Sequence, residues 1–179
     1  MNNTHDFRAK PLKWAQVDAI ANNFRRDTGF SVTPYFPIVD VVEKIIAYRF
    51  EEIDFEVCTD SEMDGAYGLT CPQGGFIRIR EDVYSEACAG NGRARFTVAH
   101  ELGHLLLHAD PEKPLARASS TENLKPFQSA ESQANRFASS LLVSEELITS
   151  NIPEEVAKVF GVSNETAFYR LKNLGRLSS

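Results

Sequence analysis

The sequence predicts an α+β domain, and three features of it do so. Two amphipathic helical segments open the chain, short alternating runs fill residues 48–80, and two dense helical runs follow at 95–109 and from Ala130 onward. In the first segment Trp14, Val17, Ile20, Ala21 and Phe24 recur at helical spacing, with Gly29 as a stop. Pro34 and Pro37 punctuate the chain, and the apolar set Ile38, Val39, Val41, Val42, Ile45 and Ile46 predicts a second helix with a broad buried face.

From Tyr48 the period shortens. Tyr48 and Phe50, then Ile53, Phe55 and Val57, alternate with charged or small residues and predict one or two strands. After a turn-rich stretch at 60–65, residues 66–71 and 76–80 read as a hairpin joined by Pro72-Gln73-Gly74-Gly75, so a small, mostly antiparallel sheet is expected. Gly90-Asn91-Gly92 precedes the helical run 95–109. Residues 110–128, with Pro111, Pro114 and Pro126, predict a long loop, and Ser129 stands as the N-cap of the next helix. The segment 153–177 predicts two short helices about Gly161.

The composition is that of an ordinary globular chain, with 42% hydrophobic and 25% charged residues among 179, which excludes a largely disordered protein. A net charge of −6 argues against a general polyanion binder, because such affinity comes from Lys and Arg neutralising phosphates. Cys58, Cys71 and Cys88 form no CxxC pair and suit a reducing compartment. With no basic-then-apolar leader and no run of 18 apolar residues, the expected location is cytoplasmic and no membrane partner is expected.

Three of the four histidines fall in His100-Glu101-Leu102-Gly103-His104-Leu105-Leu106-Leu107-His108. On a helix His100 and His104 lie on one face about 6 Å apart along the axis, within reach of one ion. This is the HExxH pattern, in which Glu101 stands beside a metal-activated water as general base. Apolar residues nearly surround this helix, so the two imidazoles and the carboxylate are buried and need a partner, which zinc supplies. Manganese is compatible with the same donors. His108 lies about 12 Å of rise from His100, too far to share the ion, and is expected to play a capping or supporting role. The third ligand is sought on the next helix, where Glu131 shares a face with Ala134, Asn135 and Ala138; Asp110, Glu112 and Glu122 on the loop are alternatives. Asn135 is placed to hydrogen-bond a ligating imidazole. Tyr67, Tyr84, His108 and Arg117 are candidates for stabilising an oxyanion, and the 76–80 strand is the candidate for pairing with a peptide substrate.

The stretch Arg95–His108, followed by Glu131-Ser132-Gln133-Ala134-Asn135-Arg136-Phe137-Ala138 and Leu141-Leu142, resembles the ImmA/IrrE metallo-endopeptidases. The resemblance implies a minimal zincin fold with His100, His104 and Glu131 as zinc ligands and Glu101 as general base. It also implies the cutting of a helix-turn-helix repressor encoded nearby, in a mobile-element, stress-response or toxin-antitoxin setting. Residues 1–151 are expected to form the zincin-like metallopeptidase domain and 152–179 a helical, helix-turn-helix-like appendage. The basic residues of 153–176 exceed the acidic ones by only 4 − 3 = 1, which disfavours direct DNA binding. The alternative is a metal-binding regulator or toxin-antitoxin partner that acts by protein binding without proteolysis.

Overall fold

The computed structural model describes residues 6–49, 53–110, 112, 116–117 and 124–177. It is an α+β fold. Helix α1 (Trp14–Asp27) and α2 (Ile38–Arg49) come first, after a two-residue strand β1 (Phe7–Arg8). Strand β2 (Asp54–Cys58), the single-turn helix α3 (Asp60–Met63), β3 (Gly68–Thr70) and β4 (Phe76–Arg80) follow. Next come α4 (Glu81–Cys88), α5 (Gly92–His108), β5 (Ala116–Arg117) and α6 (Ala130–Leu142), and the described chain ends with α7 (Pro153–Phe160) and α8 (Asn164–Asn173).

The three-stranded sheet has the order β2-β4-β3. The β3–β4 hairpin is antiparallel as expected, but β2 runs parallel to β4 along its whole length, so the sheet is mixed rather than mostly antiparallel. Alternation of side chains marks a strand without marking its direction, and here the chain returns to the sheet by a crossover past α3. Tyr48, expected in a strand, belongs to α2, and Phe50 lies outside the described residues. Helix α4 follows β4 without a break. Its signals are acids in the first turn, Glu81 and Asp82, and buried Val83 and Ala87 one turn apart. β5 pairs antiparallel with β1, so the loop after α5 is tied to the N-terminal arm.

Two helices position the site. Asn91 caps α5 by accepting from the N–H groups of Arg93 and Ala94, and Ser129 caps α6 through the N–H of Ser132. Val98, Ala99, Leu102 and Leu105 of α5 meet Phe137, Ala138 and Leu141 of α6 in one buried core. A Cβ on Gly103 would stand 3.0 Å from the Phe137 ring and 3.3 Å from the Ala134 backbone, so glycine is what lets the helices approach this closely. Val156, Phe160 and Leu171 of the last two helices share that core. Buried Arg95 of α5 donates to the carbonyls of Phe36, Phe160 and Gly161, which ties α5 to the start of α2 and the end of α7.

Candidate metal centre

His100 and His104 stand one turn apart on α5, and Glu131 stands in the first turn of α6, where the helix dipole favours a carboxylate. Their ligand atoms all lie within 4.8 Å of one another. The two Nε2 atoms are 3.0 Å apart, and each is 3.3 Å from an oxygen of Glu131. The three side chains are 16–26% exposed, which leaves one side open to the cleft. Of the alternatives considered for the third ligand, Asp110 and Glu112 are outside this group, and Glu122 lies outside the described residues.

The surrounding hydrogen bonds fix which ring nitrogens carry protons. The Gln133 amide nitrogen donates to the carbonyls of Lys10 (2.9 Å) and Phe127 (2.8 Å), so the Gln133 oxygen faces His108 and must accept. His108 therefore donates from Nε2 (3.0 Å) and accepts at Nδ1 from the Nδ1–H of His104, 3.1 Å away. That leaves a lone pair on His104 Nε2. The Asn135 oxygen, 3.0 Å from His100 Nδ1, has the same effect on His100.

Two imidazole lone pairs and a carboxylate thus point at one small region, an arrangement that repels itself unless a cation lies between them. Two nitrogens and one oxygen with a side left open match the donor set of a catalytic zinc site. The electrostatics of the protein alone agree. Burial would lower the pKa of His100, but the carboxylates of Glu131 and Glu101 outweigh it and raise it. Burial would raise that of Glu131, but the two histidines pull it well below the usual carboxylate range. His108 differs: burial depresses it to about 4, so it is neutral at pH 7, as its place in the hydrogen-bonded chain requires.

Glu101 is buried on the cleft side of α5. The Thr70 hydroxyl lies 2.6 Å from its Oε2 and 3.0 Å from its backbone carbonyl, and a Cβ on Gly68 would meet its Cγ at 2.6 Å. Strand β3 therefore presses directly against this carboxylate. Sequence reading missed Thr70 and Gln133, because a polar residue on a short strand or a helix carries no mark of what it touches.

The cleft has a volume of about 620 Å³ and is walled by Tyr67–Pro72 on one side and by α5 and Glu131 on the other. β3 is the sheet edge beside it. β4, expected to take a substrate, is the central strand and is paired on both sides. Of the oxyanion candidates, Tyr67 and His108 line the cleft. Tyr84 lies elsewhere, donating to Glu43 (2.6 Å), and the Arg117 side chain is outside the described set.

The family model described as the IrrE N-terminal-like domain, Peptidase_M78, matches residues 60–172, from α3 to within α8. The chain belongs to this family. The match takes in both helices of the IrrE-like metal centre and the β3–β4 hairpin. Among solved structures, this IrrE-like chain is similar to a Mycobacterium tuberculosis transcriptional regulator, with 17% identity and a TM-score of 0.58 over 88% of this chain and 46% of that one. The likeness is one of fold, and the chain spans a little under half of that protein's length. Comparison with curated protein sequences finds no match. No described helix is long and apolar enough to cross a membrane.

Proposed function

We propose that this chain is a zinc-dependent endopeptidase that cuts a peptide bond in a specific cytoplasmic protein. The observation that carries the reading is the convergence of His100, His104 and Glu131, with both imidazoles locked in the ligating tautomer and Glu101 alongside. These three residues would hold a zinc ion, which would supply Lewis acidity to a water and to the scissile carbonyl. Glu101 takes the water's proton and passes it to the departing amine. Thr70 holds one carboxylate oxygen and leaves the other for that transfer. The substrate backbone pairs with the β3 edge, and Tyr67 is the residue of this wall with a hydroxyl to offer the oxyanion.

The resemblance to ImmA/IrrE peptidases points to a helix-turn-helix repressor encoded nearby as substrate, and the likeness in fold to a transcriptional regulator is in keeping with a role in gene control. Residues 152–179 act in this reading as a helical appendage to the 1–151 unit. Direct DNA contact forms no part of it. Of the basic residues there, Arg170 is buried against Asp18 and the Val143 carbonyl, and Arg176 donates to the carbonyl of Ile148.

The test is Glu101→Gln. The variant is expected to keep zinc while cleavage of the repressor falls by about 10²–10⁴-fold. Full biological effect from a zinc-loaded Glu101→Gln protein would instead favour the regulator that acts by binding alone.

A further inference from the structure

The metal cleft does not end at His100. A second cavity of about 810 Å³ opens between α5, α6 and α8, and the two share Phe96 and Asn135 as lining residues, so they adjoin at these side chains. The floor of both is a single face of α5. Arg93 and Phe96 floor the second cavity, while Phe96, His100, His104 and His108 floor the metal cleft. These positions recur every three or four residues. At 1.5 Å per residue, Arg93 to His108 covers about 22 Å, the length of six or seven residues of extended chain at about 3.3 Å each.

We propose that the two cavities form one trough for the substrate polypeptide. In this trough the second cavity reads a large apolar or aromatic side chain about four residues from the scissile bond. The inference rests on the peptidase reading and extends it to the kind of substrate. The register follows from the helix: from the midpoint of His100 and His104 to Arg93 is about 14 Å, or roughly four extended residues. The chemistry follows from the walls. Trp14 of α1, Phe96 of α5 and Tyr169 of α8 supply aromatic surface, and Thr166, Ser139 and Asn173 supply hydrogen-bonding groups for a passing backbone. Tyr169 is 53% exposed, so its ring is accessible to a side chain that enters the cavity. The last helix thus forms the far wall of the substrate channel, and the preferred target is a protein with an exposed, extendable segment that carries an apolar anchor.

A random peptide library displayed on phage, selected on the zinc-loaded Glu101→Gln protein, tests this without requiring turnover. The trough predicts an enriched motif with one large apolar position. It further predicts that enrichment falls at least tenfold when Tyr169→Ala, or Thr166→Trp to fill the cavity, is added, while Val159→Ala on the outer side of α7 changes nothing. A synthetic peptide of the motif should then be cut by the zinc-loaded wild type about four residues from the apolar position. No motif, a motif indifferent to both cavity variants, or a cut adjacent to the anchor overturns the trough. A motif that depends on Tyr169 but is never cut by the wild type supports the trough and removes the peptidase reading.

Discussion

Helix α6 carries two charged clusters on opposite sides, and they differ in completeness. Toward α1 and α8, Arg136 and Ser140 donate to Asp18, which also accepts from Arg170 at 3.2 Å. Burial would raise the pKa of Asp18, but its bonds to Arg136 and Ser140 and the charges of both arginines outweigh that and hold it low. Toward α5, Glu131 meets two imidazole lone pairs, and Asn135 serves only to orient one of them. The first cluster contains its own cations and closes on itself. The second has three bases and no cation of its own. A buried charge group whose donors and acceptors balance is a structural clamp, whereas one whose bases converge unbalanced is a binding site.

The largest effect should come from removing a base from the unbalanced cluster. His104→Ala or Glu131→Ala is expected to weaken zinc binding by more than about a hundredfold, beyond what loss of a supporting partner costs, as read by competition with a chromogenic chelator. Zinc affinity should also fall as the pH drops through the raised pKa of His100, because protons then compete for the same nitrogen. A break in the balanced cluster should do the opposite. Asp18→Asn is expected to cost about 3 kcal/mol in urea unfolding and leave zinc affinity unchanged. With its folded pKa lowered, Asp18 contributes stability that is present above the unfolded value of 3.8 and lost below it, so the gap between wild type and variant should close as the pH falls below that value.

Smaller changes sharpen the contrast. Gln133→Leu removes the group that sets the His108 tautomer, and through it that of His104, so zinc affinity should drop about 10- to 100-fold although no ligand is touched. Thr70→Val should lower cleavage only by about tenfold, with Thr70→Ser restoring it and zinc binding intact in both. Equal loss in the Ser and Val variants would mean that the hydroxyl is not what positions Glu101.

The sequence made one side of this comparison legible and not the other. His100, Glu101 and His104 are set by spacing along one helix, whereas periodicity made Glu131 one of several candidate third ligands and the resemblance to ImmA/IrrE peptidases singled it out. Helices α1, α5 and α6 and the pair α7–α8 were readable from periodicity. Asp18, Arg136 and Arg170 lie on three elements remote in sequence, and nothing local marks them as partners. The same holds for Gln133 and Thr70, whose partners are chosen by packing. The parallel β2–β4 pairing was hidden because strand alternation has no direction, and β1–β5 because two-residue strands have no pattern to read.

The central claim, that α6 and α5 together present an incomplete cluster made for one metal ion, is tested most directly by metal analysis of the purified protein after zinc loading and dialysis. One tightly held zinc per chain is expected in wild type, Asp18→Asn and Glu101→Gln, and its loss in His104→Ala and Glu131→Ala. Zinc retained equally by all five proteins, or by none, would contradict it.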